Sequence, residues 1–150
     1  MDSESEKINS FLVSVFNNIL RMEEASLKER AGNLSMREMH VIEAVCDAVT
    51  RQQNTASEIA LSQNITAGTL TTTVSTLEKK GFLIRRQDDR DKRMVRIFPT
   101  EKGKTANEIH QSFHHEMVSA IQSVLKEDEL KAFVRGLAAV QHFFESKNKD

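Results

Sequence analysis

A mainly α-helical chain carrying one small β-hairpin is what the sequence predicts, and three observations predict it. Apolar residues recur at spacings of three and four along most of the 150 residues, the signature of helices with one buried face. Ser35-Met36-Arg37-Glu38 and Thr55-Ala56-Ser57-Glu58 are capping boxes, in which a hydroxyl and a carboxylate satisfy the free amides of a helix start. Between Gly81 and Pro99, two runs rich in β-formers flank Asp88-Asp89-Arg90-Asp91, the pattern of two short strands and a polar turn. With 39% hydrophobic residues the chain can bury one modest core, so one or two compact units are expected.

In chain order, residues 5 to 31 place Ile8, Phe11, Leu12, Val15, Phe16, Ile19 and Met22 on one stripe, a long amphipathic helix stopped by Gly32 and Asn33. A second helix opens at Ser35 and carries Met36, Met39, Ile42, Val45, Cys46 and Val49 inward. The polar run Thr50 to Asn54 is a loop. Thr55 caps a short third helix, which Gln63 and Asn64 break. Thr66 caps a fourth, whose inward stripe is Leu70, Thr73, Val74 and Leu77, while Gly68, Thr69, Thr72 and Thr76 share the opposite face. Two short helices with a tight polar connection make a helix-turn-helix candidate. The hairpin strands are expected at Phe82 to Arg86 and Arg93 to Phe98, with Pro99 ending the second. Thr100 then caps a long helix through Ala106, Ile109, Phe113, Met117, Ala120, Ile121 and Val124. Residues 127 to 147 form the last one, whose start near Lys126 lacks a Ser or Thr cap.

Charge separates along the chain. Residues 1 to 50 hold nine acids against five bases, whereas residues 78 to 104 hold ten bases against five acids, so a polyanion is expected to meet the face built from the second stretch. Cys46 is alone, which rules out an intrachain disulfide, and no basic residue at helical spacing lowers its pKa, so it is expected to pack rather than to sense redox state. The N-terminus has no signal-peptide pattern, and no apolar run approaches the roughly 20 residues needed to span a bilayer, so a cytoplasmic protein with no membrane partner is expected. His114-His115-Glu116 is the only cluster suggestive of catalysis. There is no Gly-rich phosphate loop, HExxH or nucleophile elbow, so no catalytic residues, cofactor or enzyme activity are expected.

TLTTTVSTLEKKGFLIRR, with Leu77-Glu78-Lys79-Lys80-Gly81 closing the fourth helix, Asp88, Asp91 and Arg93 in the hairpin turn, and Thr100-Glu101-Lys102-Gly103 opening the next helix, resembles the MarR family of bacterial winged-helix repressors. The resemblance covers nearly the whole chain. It departs from the family pattern at Thr73, where an apolar residue is usual, and at Pro99, where Leu is common. It implies a winged helix-turn-helix DNA-binding domain at residues 35–99, and long N- and C-terminal dimerisation helices at 1–34 and 100–150. Ile8-Asn9-Ser10-Phe11-Leu12, Phe16-Asn17-Asn18, Glu38-Met39-His40 and His110-Gln111-Ser112-Phe113-His114 carry a narrower likeness to the branch that represses fatty-acid-biosynthesis genes. That likeness implies a homodimer with acyl-acyl carrier protein as corepressor.

On this reading Gly68, Thr69, Thr72 and Thr76 enter the major groove of double-stranded DNA, with Thr66 and Thr71 near phosphates. No Arg, Asn or Gln on that face can read guanine or adenine bidentately. The operator is therefore expected to be A·T-rich, and pseudo-palindromic because the protein is two-fold symmetric. Arg90 at the hairpin tip is placed for the minor groove, Asp91 holds Arg93, and Lys92 and Arg86 add phosphate contacts. The resemblance implies an effector site lined by Ile19, Met22, Leu27, Met39, Ile42, Phe113 and Met117; periodicity alone makes these ordinary core. His110 and His114, four apart on one helix face, have metal-ligand spacing, and His40 with Glu24 completes a candidate zinc set like that of the family's zinc-responsive branch. Hydrogen bonding between helices is the competing role for these histidines, and no metal is the expectation.

Overall fold

The computed structural model describes residues 2–148. The elements are α1 (Ser3–Ser10), a π-helical segment (Phe11–Val15), α2 (Phe16–Arg30), α3 (Met36–Thr50), α4 (Ala56–Ser62), α5 (Ala67–Lys79), β1 (Leu83–Gln87), β2 (Val95–Pro99), α6 (Glu101–Val124) and α7 (Glu127–Lys147). The chain divides into two compact units, Met1–Phe113 and His114–Asp150.

The helix starts are set by the expected caps. Ser35 Oγ accepts the Glu38 amide at 3.1 Å, and Thr66 Oγ1 accepts that of Thr69 at 3.1 Å. At Thr55 the full box forms: the Glu58 amide donates to Thr55 Oγ1 at 3.3 Å and the Thr55 amide to Glu58 Oε2 at 3.0 Å. The Thr55 amide, and then the Thr55 hydroxyl donating to the same oxygen at 2.8 Å, hold the Glu58 carboxyl below the usual carboxylate range. Thr100 does double duty, accepting the Gly103 amide at 3.1 Å while its hydroxyl donates to the Gly81 carbonyl at 2.6 Å. At α7, where no hydroxyl cap was available, the Lys126 amide donates to Glu129 Oε1 at 3.4 Å, and Glu127, Asp128 and Glu129 complement the positive end of the helix dipole.

The long first helix expected from periodicity is interrupted. Its π-helical segment, Phe11–Val15, carries an extra residue per turn and rotates the apolar stripe partway along. The hairpin is antiparallel, with Leu83 opposite Pro99 and Gln87 opposite Val95. Both strands lie later than expected. The turn consumes Arg93 and Met94, whose amides donate to Asp91 Oδ1 and the Asp91 carbonyl, so pairing begins only at Val95 and extends to include Pro99. The Thr50 to Asn54 loop also contributes to the sheet: the Ile97 amide donates to the Asn54 carbonyl at 2.9 Å, and Thr55 bridges to Arg96.

The core lies in the first unit. Leu27, Leu34, Met39, Ile42, Val45, Ile59, Leu70, Val74, Leu77, Phe82, Leu83, Ile97 and Ala106 are buried together, joining α2 through α6 and both strands. Two glycines make the α5 to α6 passage possible. Gly81, at φ +84°, takes the left-handed turn out of α5. Gly103 packs so tightly that a Cβ there would sit 2.2 Å from the Phe82 carbonyl oxygen. Cys46 is half-buried against this core, and burial, with Asp47 beside it, pushes its thiol up to about 11. Among the described residues, no helix is long and apolar enough to cross a membrane.

Candidate nucleic-acid interface

Helix α5 presents the face the sequence pattern assigns to it. Leu70, Thr73, Val74 and Leu77 are buried, while Thr66, Gly68, Thr71 and Thr72 are exposed and Thr69 and Thr76 half-buried. Gly68 has open space where a side chain would be, so backbone can approach a ligand there. Thr73, the departure from an apolar position, is accommodated without breaking the helix: its hydroxyl donates to the Thr69 carbonyl at 2.9 Å, which satisfies the buried group.

Arg85, a residue the sequence reading did not single out, fixes α5 against the sheet. Its guanidinium on β1 donates to the Thr71 carbonyl at 2.9 Å and to Ser75 Oγ at 2.6 Å, and its Nε lies 3.0 Å from Glu78 Oε1. One planar fork thus grips two turns of the helix from its side. The far end of α5 is held as well. Lys80 Nζ donates to the Asn33 carbonyl at 2.7 Å and to Glu38 Oε2 at 2.8 Å, while Lys102 Nζ on α6 donates to the Lys80 carbonyl at 2.9 Å.

The hairpin turn is built on Asp88. Its Oδ2 accepts the amides of Arg90 at 3.1 Å and Asp91 at 2.9 Å, and its Oδ1 accepts Arg96 Nε at 2.6 Å. Arg96 in turn donates to Asn54 Oδ1 at 3.1 Å, and Asn54, buried, donates to the Ile97 carbonyl at 2.8 Å. The Arg96 guanidinium, then the two amides, hold the Asp88 carboxyl below the usual range, and Asp88 raises Arg96. Asp91 Oδ1 accepts Arg93 Nε at 3.2 Å. Arg86 lies over the Phe98 ring, 5.4 Å from its centroid. Arg90 and Lys92 are exposed at the tip. The sequence reading placed the tip but missed Asn54 and Arg96. Their signal was faint: an acceptor-rich turn residue needs a basic partner across the ladder, and spacing alone does not select which.

Residues 34–95, the span containing α3, the helix-turn-helix and most of the hairpin, match the MarR family. Over nearly its whole length the chain is also similar to Streptococcus pneumoniae FabT, solved in complex with DNA. The two are 33% identical, with 95% of this chain and 98% of FabT covered and a TM-score of 0.81. The chain belongs to the MarR family. It has the fold of a MarR-type DNA-binding transcriptional regulator, mainly helical with a two-stranded hairpin. The HTH-type transcriptional repressor YetL of Bacillus subtilis is 32% identical over 81 residues, 54% of this chain, and the chain spans about half (48%) of YetL's length. Staphylococcus aureus MepR, solved as a DNA complex, shares the fold at 20% identity, covering 91% of this chain and 97% of MepR, with a TM-score of 0.70.

The residues expected to line a MarR effector site differ widely in exposure. Leu27, Met39 and Ile42 are fully buried core side chains, Ile19 and Phe113 are half-buried, and Met22 is 63% exposed. Met117, half-buried, belongs to the second unit. A groove of about 250 Å³ in the first unit is lined instead by Arg30, Ala31, Phe82, Lys102, Thr105, Ala106 and Ile109.

Of the four expected metal-set residues, His40 and His110 come together, with Glu23 in place of Glu24 and without His114. Glu23, His40 and His110 bring donor atoms within 4.8 Å of one another. Glu24, the expected carboxylate, is one position further round α2 and lies 3.7 Å from Lys28 on the exposed face. His110 is 2% exposed, its Nδ1 3.5 Å from Glu23 Oε1 and its Nε2 2.7 Å from Glu43 Oε2. His114 lies in the second unit. Glu23 lies four residues after Ile19 and four before Leu27, on the buried side of α2 that Glu24 does not share.

Proposed function

We propose that this protein is a dimeric transcriptional repressor of the MarR type that binds an A·T-rich pseudo-palindromic operator and controls fatty-acid-biosynthesis genes, with long-chain acyl-acyl carrier protein as corepressor. The observation that carries the DNA-binding part is the exposed Gly and Thr face of α5 beside a hairpin whose tip presents Arg90 and Lys92. In this assignment Gly68, Thr69, Thr72 and Thr76 meet the major groove, and Thr66 and Thr71 lie near phosphates. Arg90 reaches the minor groove, Arg86 and Lys92 contact phosphates, and Asp91 holds Arg93. The full-length similarity to FabT, itself solved on DNA, supports the same reading.

The acyl corepressor rests on the narrower sequence likeness to the fatty-acid branch. The Met-rich set Ile19, Met22, Leu27, Met39, Ile42, Phe113 and Met117 would have to open to admit an alkyl chain, with methionine flexibility lowering the cost of repacking. The deciding experiment is operator affinity by gel shift with no effector, with short-chain and long-chain acyl-acyl carrier protein, and with zinc. Tighter binding that grows with acyl length supports the proposal, and indifference to acyl length ends it.

A second reading, zinc as effector, is favoured by one observation: Glu23, His40 and His110 converge from three helices. Imidazole and carboxylate donors suit zinc. Metal content of the purified protein, and operator affinity with and without chelator, separate the two readings.

A further inference from the structure

Building on α5 as the recognition helix, we infer that Thr72 and Thr76 read DNA through their γ-methyl groups and as hydrogen-bond acceptors only, so that the thymine C5-methyl is what this protein selects.

A threonine hydroxyl has one proton. Thr72 donates its proton to the Gly68 carbonyl at 3.1 Å, and Thr76 donates to the Thr72 carbonyl at 3.2 Å, each reaching back one helical turn. In a helix, a threonine that bonds the carbonyl four residues earlier holds a single χ1 rotamer, with Oγ1 tucked toward the preceding turn and the methyl standing clear of it. The two residues are four apart, so their methyls line one face a turn apart. At the N-terminal end of the same face the Thr66 hydroxyl donates to Thr69 Oγ1 at 2.9 Å, which leaves Thr69 its own proton and sets it apart from Thr72 and Thr76. At Thr72 and Thr76 the helix backbone thus holds the protons that a generic threonine-rich surface would offer to DNA.

The base edges then sort themselves. In the major groove an A·T pair presents the thymine methyl and the adenine N6 amino donor, whereas a G·C pair presents two guanine acceptors, N7 and O6, beside the cytosine N4 donor and carries no methyl, so the methyl is the group that separates the two pairs. A surface of methyls and acceptor oxygens packs against the thymine methyl and accepts from the adenine amino group. Against guanine it brings acceptor to acceptor, leaving polar atoms desolvated and unpaired. Preference for A·T pairs would therefore come from direct contact in the major groove, in addition to any effect of groove shape.

The test begins with duplexes selected by the full-length protein from a random pool. Each thymine in the selected sequence is then replaced singly by uracil, which removes only the C5-methyl, and affinity is measured on the wild-type protein. Uracil at the contacted positions is expected to weaken binding about fourfold per methyl lost, the equivalent of one buried methylene. A C·G pair placed at such a position should bind poorly and regain part of the loss when the cytosine is 5-methylated. Thr72→Ser should abolish the thymine-over-uracil ratio, whereas Thr72→Val, whatever its absolute affinity, should keep it. Equal affinity for thymine and uracil at every position, in a protein that does select a sequence, overturns this inference and leaves the DNA-binding reading intact. Failure to enrich any duplex overturns both.

Discussion

Gly103 shows how much a single residue constrains the path from α5 to α6. A Cβ at this position would lie 2.2 Å from the Phe82 carbonyl oxygen, an atom of backbone that is itself fixed by the Thr100 amide at 3.0 Å. Gly103→Ala should therefore destabilise the fold by about 1–3 kcal/mol, the usual cost of forcing atoms into a filled space, measured as a lowered denaturation midpoint. Asp88 makes a prediction in pH. Its folded carboxyl is held below the usual range by Arg96, so by linkage its contribution is full above the unfolded value of about 4 and is lost as pH falls through the lower folded value. Amide protection of Arg90 and Asp91 should hold steady from neutral pH down to about 5 and collapse below about 4, while Asp88→Asn should remove that titration. Cys46, with its thiol raised to about 11, should resist alkylation at neutral pH in the folded protein and react only on unfolding.

Elements were more legible in the sequence than their fastenings. Capping boxes located the starts of α3 and α4 because one hydroxyl and one carboxylate at fixed spacing leave little choice, and the apolar stripe of α5 located its buried face. On α2 the carboxylate beside His40 and His110 is Glu23 rather than the expected Glu24, although Ile19 and Leu27 at spacing four on either side of Glu23 mark it as the buried one. Arg85 was invisible for a different reason: in a stretch crowded with bases, only the fold reveals which guanidinium turns inward. Its three contacts on Thr71, Ser75 and Glu78 make it the bracket of α5. Arg85→Met should cost about 1–3 kcal/mol, as expected for hydrogen bonds to a charged group, and speed amide exchange in α5. Operator affinity should fall further than stability alone predicts, and Arg85→Lys should recover only part of it, since an ammonium cannot span the same fork. An Arg85→Lys variant whose α5 exchange matches the wild type would show that charge, rather than the planar grip, is what matters.

At the scale of the whole molecule, the feature that needs an explanation is apolar surface left in water. In the first unit Ile8, Phe11, Leu12, Val13, Val15, Phe16 and Leu20 are exposed, and α1 buries none of its residues. In the second unit Val118, Ile121, Val124, Phe133, Val134, Leu137, Phe143 and Phe144 are exposed, and α7 likewise buries nothing. Stripes of this length on both terminal regions are more than monomers usually leave to solvent, and on the proposed dimeric reading a second copy of the chain supplies matching stripes by symmetry. Sedimentation at micromolar concentration should therefore give a dimer. Replacing Phe16 and Phe133 by Asp should shift it toward monomer while far-ultraviolet circular dichroism keeps its helical form, because neither side chain belongs to the buried core. The same double variant should lose roughly 10²-fold or more in operator affinity, the advantage of engaging two half-sites at once, yet keep weak salt-sensitive binding to any duplex through its wing. A variant that is monomeric but retains full operator affinity would mean that one recognition helix is sufficient, and that the exposed stripes serve some other partner.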